Sequence, residues 1–395
     1  MQFASALSEI SDPQRLAEHL VLQVNAQHMP ATVDLVLLFV NAELQPVIHD
    51  IAKQVRSELH ARHILAVTAE SVIGTDKEIE RKPAASLLAM HLPDVSINAF
   101  HIADDEWETL LTDEGAFREK LEFENLRAFI LFGDPFTTPA IQLLDACSAV
   151  FPHAPVVGGM ASGITQAGQV RLLIDDEVHS SGCIGVSFAG NVQVDFVVSQ
   201  GCRPVGHTFT VTKATKNVIF ELDGESPVMK IETMLNALPE SEQQFIRANA
   251  LLIGRAIDEA KGNFGQGDFL IRSVLGVQAQ QGSIVIGDLI RAGQTVQMHV
   301  RDAASAHEEL KLLLEGEMLL ADVPAGALLF SCNGRGTRMF DAPHHDVGLA
   351  RQVLGNVPIA GFFAAGEFGP VGRRNFMHGQ TASFALFRPA AKSES

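Results

Sequence analysis

Two short stretches near the carboxyl end carry the residue types that could do chemistry. Ser331-Cys-Asn-Gly-Arg-Gly-Thr-Arg-Met-Phe340 follows one apolar run, and Gly361-Phe-Phe-Ala-Ala-Gly-Glu-Phe-Gly-Pro370 follows another. Gly334 and Gly336 flank Arg335. Glycines reach positive φ and let backbone N–H groups approach an anion, while a guanidinium grips a carboxylate through two parallel hydrogen bonds. Glu367, in the second stretch, suits a cation such as an ammonium group. With Cys332, Asn333, Gly361 and His378 these residues would hold a small zwitterion. The competing structural reading is an Arg335–Glu367 ion pair that ties two loops together.

Other constellations are weaker. His344, His345 and His378 with Cys332 could be drawn as a metal site or a thiol–imidazole pair, but adjacent histidines usually point apart and the spacing is no metal signature. No metal and no cofactor is expected. Cys332, just past a strand and near Arg335, could have a lowered thiol pKa, which keeps an enzyme using Cys332 or a nearby histidine on a small substrate as one alternative, a protein-interaction scaffold being the other. Gly158, Gly159 and Arg338 are secondary candidates. The glycine pair matches neither Gly-x-Gly-x-x-Gly nor the phosphate-binding loop that ends in Lys-Ser/Thr.

The elements that must position these residues repeat along the chain. The apolar run Val33 to Val40, the helix Val47 to Arg62 and the strand Ile64 to Ala69 form one β-loop-α-β unit. A second runs from Phe129–Phe132 through Ile141–Phe151 to Val156-Val157, and a third from Leu328–Phe330 through Asp346–Leu354 to Ile359-Ala360. Units two and three share Pro, Gly, Ala and Gly across Pro155 to Gly163 and Pro358 to Gly366. Each is followed by a further strand, Gly182–Ala189 or Gly379–Ala385, which suggests a distant duplication of two halves.

Ahead of them, Ser11-Asp12-Pro13 caps a helix with Leu16, Leu20 and Val24 on one face. Short β-rich runs at 170–174, 192–198, 208–212, 268–274, 283–287 and 295–300 point to mixed sheets. The expectation is an α/β fold, with α+β character in places, made of two related mixed-sheet domains. An N-terminal helix over 1–29 packs on the first domain, 30–221; the second spans 222–389, and a tail over 390–395 frays.

Lys+Arg 29 against Asp+Glu 47 leave a net charge of −18, which argues against a nucleic-acid surface. Phe 24 with Tyr 0 and Trp 1 suggests large apolar cores. The opening residues lack a basic, then apolar, leader, and no apolar run approaches the length of a spanning helix, so no membrane insertion is expected. Four widely spaced cysteines fit a reducing cytoplasm.

The chain resembles the FIST family (F-box and intracellular signal transduction proteins) over nearly its full length. The N-terminal resemblance rests on Asp34-Leu-Val-Leu-Leu-Phe39, Pro155-Val-Val-Gly-Gly159 and Gly182-Cys-Ile-Gly-Val186. The C-terminal one rests on Val277 to Gly287, Ser331 to Gly336, Gly361 to Pro370 and His378-Gly-Gln-Thr381. It implies an intracellular sensory module that binds small ligands, amino acids or other small carboxylates among them, and no established catalytic residues. Because only a short tail follows these segments, output is expected through a separate signalling protein or an oligomer of this chain.

Overall fold

The computed structural model describes residues 1–121, 124–249, 251–265 and 267–390. Its ground plan is one supersecondary unit used three times. The first copy comprises β1 (Gln2–Ser8), α1 (Pro13–Asn25), β2 (Val33–Asn41), α2 (Ile48–Glu58), β3 (Ala61–Ala69), the hairpin β4 (Ser71–Ile73) and β5 (Glu78–Glu80), and β6 (Ala85–His91). The second comprises β7 (Val95–Ile102), α3 (Trp107–Thr112), α4 (Glu114–Leu121), β8 (Leu126–Gly133), α5 (Ala140–Val150), β9 (Val156–Met160), the hairpin β10 (Leu172–Ile174) and β11 (Glu177–His179), and β12 (Cys183–Gly190).

The third copy opens with β13 (Gln193–Ser199) and is then interrupted in sequence. The interruption holds β14 (Cys202–Thr215), β15 (Val218–Leu222), α6 (Pro227–Asn236), α7 (Glu240–Ala248), β16 (Leu251–Ala256), β17 (Phe269–Gln278), β18 (Ser283–Ile286) and β19 (Thr295–Arg301). The copy resumes with α8 (Ala303–Leu320), β20 (Gly326–Cys332), α9 (His345–Leu354), β21 (Ile359–Ala364), the hairpin β22 (Glu367–Val371) and β23 (Arg374–His378), and β24 (Ala382–Arg388).

Three six-stranded sheets follow one pattern: β1-β6-β2-β3-β10-β11, β7-β12-β8-β9-β22-β23 and β13-β24-β20-β21-β4-β5. In each, the two strands flanking a crossover helix are parallel, and the last strand of the copy lies antiparallel to the first of them. The hairpins are exchanged in a ring. Copy one lends β4-β5 to copy three, copy two lends β10-β11 to copy one, and copy three lends β22-β23 to copy two.

The inner faces of all three sheets share one core, while α1 with α2, α3 to α5, and α8 with α9 cover separate outer cores. Phe39, Phe132 and Phe330 meet at its centre with ring centroids 5.8, 6.3 and 5.9 Å apart. Strands buried on both faces must be apolar throughout, which is why β2 reads Val-Asp-Leu-Val-Leu-Leu-Phe-Val-Asn. Asp12 caps α1 by accepting from Arg15 N at 2.9 Å, and Leu16, Leu20 and Val24 face inward.

The interrupting segment closes into an antiparallel six-stranded barrel, in the order β14-β15-β18-β17-β16-β19. The chain thus divides into two compact units, Met1–Val198 with Leu310–Ser395, and Ser199–Glu309. The fold is α/β with mixed sheets, but the repetition expected of two halves extends to three copies. The boundary expected at 221/222 falls inside the barrel unit, within β15. Residues 1–29 are more than a helix, since β1 pairs with β6 over its whole length. Of the tail expected over 390–395, only Ala390 is among the described residues. No helix among the described residues is long and apolar enough to cross a membrane.

Candidate functional site

Parallel strands place their following loops at one sheet edge, where open α/β sheets usually bind ligands. Two residues past each central phenylalanine, the three copies carry Asn41, Asp134 and Cys332. Asn41 Nδ2 donates to Glu70 O at 2.7 Å. Asp134 accepts from Thr137 Oγ1 at 2.8 Å, and burial raises its pKa. Cys332, half-buried where Asn41 and Asp134 are buried, lies against the Glu367 carboxyl.

Arg335 is fully buried, and its guanidinium is committed within the chain. Nε donates to Asp346 Oδ2 and Nη2 to Asp346 Oδ1, both at 2.7 Å. Asp346, in the first turn of α9, also accepts from Ser331 Oγ at 2.8 Å and lies 2.9 Å from His345 Nδ1. Phe340 covers the guanidinium at 5.3 Å and stacks on His345. Burial alone would raise the Asp346 carboxyl, but Arg335 outweighs it and holds the group well below the usual carboxylate range.

The exchanged hairpin of copy one completes this cluster. Glu78, on β5, accepts from Val347 N at 2.9 Å, while its own N–H donates to His344 Nδ1 at 3.0 Å. Burial, followed by the Asp346 charge, pushes Glu78 up to about 8. Glu80 accepts from Thr337 N at 2.8 Å and from Thr337 Oγ1 at 2.6 Å. Gly336, at φ +59, leaves room for Glu80, because a Cβ there would come within 2.7 Å of its Oε1.

Both roles expected of Arg335 are therefore corrected. It presents no guanidinium to an open hollow, and the carboxylate that grips it through two hydrogen bonds is Asp346, while Glu367 feels its charge. The reason lies in α9, whose first turn places a carboxylate against the loop. Glu367 belongs to β22, opposite Gly159 on one side and His378 on the other. It is fully buried, and its Oε2 accepts from Thr381 Oγ1 at 2.6 Å and from Thr381 N at 3.3 Å. Burial pushes its carboxyl up to about 8 against the opposing pull of Thr381, Arg335 and Cys332.

The remaining expected residues have backbone or structural roles. A Cβ on Gly158 would sit 1.9 Å from Leu131 O, and one on Gly361 would sit 1.8 Å from Leu329 O. These two glycines hold the same register in copies two and three, so the shared glycine clears the crossing of neighbouring strands. His378 Nε2 donates to Gly369 O at 3.0 Å. Arg338 pairs with Glu70 at 2.7 Å and donates to Asn333 O at 2.8 Å. Gly334 N lies 3.5 Å from Cys332 Sγ. Sequence spacing thus brings Cys332, Arg335, Glu367 and Gly159 to one neighbourhood but misses Asp346, Glu78 and Thr381 as its partners. Thr381 stood in the His378–Thr381 motif, whereas nothing local marked Glu78.

The barrel unit offers a different environment. A cavity of about 410 Å³ is lined by apolar residues of α6, α7 and the strands, among them Ile231, Leu235, Ile246 and Met298. Two charged side chains also line it, Glu232 from α6 and Arg247 from α7. Neither makes an ion pair or hydrogen bond among the described residues.

Comparison with known proteins covers both units. The family model of the FIST N domain matches residues 34–225, and that of the FIST C domain matches residues 231–370. An uncharacterized protein of Mycobacterium tuberculosis is 38% identical over 341 residues, spanning 86% of this chain and 87% of the relative. An uncharacterized protein of Mycobacterium bovis is 38% identical over 342 residues, spanning 86% of each.

Proposed function

The chain belongs to the FIST family, and from that premise we propose that it is a cytoplasmic sensory module whose barrel cavity takes a small amphipathic carboxylate, apolar amino acids included. FIST domains are associated with signal-transduction sensing. The observation that carries the finer reading is the cavity itself. Its 410 Å³ lies within the ~300–1,000 Å³ usual for small-molecule sites, which combine apolar walls with a few polar groups.

An apolar tail in that cavity would be desolvated, while Arg247 supplies a cation for a carboxylate and Glu232 an anion for an ammonium group. The Arg335 cluster takes a different part in this reading. It locks the loop after β20 to α9 and to the hairpin lent by copy one, and the signal leaves through a partner protein or an oligomer. Thermal-shift titration with apolar amino acids and short carboxylates tests the proposal. Ligand at about 100 times its Kd adds about 2.7 kcal/mol to stability. That gain should vanish in Arg247→Gln and in Val277→Trp, which narrows the cavity. Ligands that stabilise both variants as well as the wild type would place binding elsewhere.

A second reading rests on Cys332, whose thiol lies against a buried carboxyl. It makes Cys332 and Glu367 a nucleophile and proton-transfer pair. Its mark is a Cys332 alkylation profile with a step near pH 8 that disappears in Glu367→Gln; a profile unchanged by that substitution removes this reading.

A further inference from the structure

α8 contains a nearly palindromic run, Leu312-Leu-Leu-Glu-Gly-Glu-Met-Leu-Leu320, centred on Gly316. Its inward side is accounted for. Leu310 and Leu314 are buried, Met318 packs on the same core, and Glu317 pairs with Arg388 at 2.9 Å. The outward side is not. Leu312 and Leu313 are exposed, Leu319 and Leu320 are 87% and 86% exposed, and Val323 continues the stripe beyond the helix end. Positions three and four residues either side of Gly316 share one helix face. Glycine is the poorest helix former after proline, yet a Cβ on Gly316 would meet nothing within 4 Å inside this chain.

We infer that this face is a two-fold contact with a second copy of this chain, its α8 laid antiparallel and crossing at Gly316. The spacing is self-complementary, as a two-fold interface requires. Leu312 packs against the partner's Leu320, Leu313 against the partner's Leu319, and Gly316 lets the two helices approach closely at the centre. Charge selects the antiparallel sense. Lys311 and Asp322 flank the stripe at opposite ends, and their side chains make no ion pair among the described residues. Antiparallel packing sets each beside its opposite on the partner, whereas parallel packing sets like beside like.

The stripe is narrow beside the ~800 Å² per partner of a standard stable interface, so association is of the weak, reversible class. With a net charge of −18 on each copy, general repulsion opposes it, and added salt strengthens the dimer by screening that repulsion. Such a contact gives a two-unit sensor a concentration-dependent output without another domain.

Sedimentation of the full chain over a concentration series tests this directly. The expected result is a monomer–dimer equilibrium that shifts toward dimer with salt and becomes wholly monomeric in Leu319→Glu/Leu320→Glu. Both substituted side chains are exposed, so the variant's circular dichroism and melting temperature stay those of the wild type. Lys311→Glu should weaken the dimer about tenfold, and adding Asp322→Lys should restore it. A chain that sediments as a monomer up to its solubility limit overturns the proposal. So does a dimer that survives the double glutamate substitution, or one that Lys311→Glu weakens and Asp322→Lys fails to rescue.

Discussion

The loop cluster around Arg335 and the cavity in the barrel are opposites in what they display and what they use. The first gathers an arginine, four carboxyl groups, two histidines and a cysteine, yet its groups face one another and its guanidinium is fully buried. The second is built mainly from aliphatic side chains, which in sequence read as ordinary core, but leaves 410 Å³ uncovered with two charges on its lining. Charged residues at a strand edge therefore mark a binding site only once their internal partners have been counted. Here Asp346 does the pairing with Arg335 that a ligand would otherwise do.

Removing the arginine is the strongest way to break this contrast. Arg335→Ala leaves Asp346 buried and uncompensated, and should cost about 3–5 kcal/mol of unfolding free energy in denaturant titration. Arg335→Met combined with Asp346→Leu should recover most of that loss, because the pair leaves together. A near-neutral Arg335→Ala would mean that the cluster is open to solvent and that the distinction fails.

Proton linkage gives the next effect. Glu367 and Glu78 are held near 8 in the folded protein, above their range in the unfolded chain. The folded state therefore binds more protons than the unfolded state between the ordinary carboxyl range and about pH 8, and stability falls as pH rises through that window. Asp346, held low, acts in the opposite sense and withdraws stability only in acid. Glu367→Gln should flatten the alkaline decline in melting temperature and be most favourable above pH 8. An unchanged pH profile would show that Glu367 is ionised at neutral pH.

Thiol labelling sharpens the comparison further. Cys147, Cys183 and Cys202 are buried, with burial pushing Cys147 up to about 12, whereas Cys332 is half-buried. Cys332 should therefore be alkylated first under native conditions, as peptide mapping after a short exposure would reveal. The smallest stability effect belongs to the barrel. Arg247→Gln removes no ion pair or hydrogen bond among the described residues and should stay within about 0.5 kcal/mol of wild type, while abolishing the ligand-induced shift.

Much of the scaffold could be read in the residues because its periodicity is local. Val33 to Val40 announces a strand buried on both faces, and Asp12-Pro13 announces the start of α1. The parallel between Pro155–Gly163 and Pro358–Gly366 is real, and its glycine has a backbone cause in the clearance over Leu131 O and Leu329 O. The exchange of hairpins was hidden, because β4, β10 and β22 pair with strands of other copies. Nothing in Glu78-Ile-Glu80 tells that it closes a loop more than 250 residues away. Four strands of the second unit, β14, β17, β18 and β19, were legible as separate runs and β15 and β16 were not, and closure into a barrel is a property of their pairing rather than of any one of them.

The most direct test compares ligand-induced thermal shifts in two variants, Arg247→Gln and the Arg335→Met/Asp346→Leu double substitution. The shift should be lost in the first and kept in the second, whose barrel residues are untouched. Loss in the double variant with full retention in Arg247→Gln would contradict the account and return the ligand to the strand edge of the third copy.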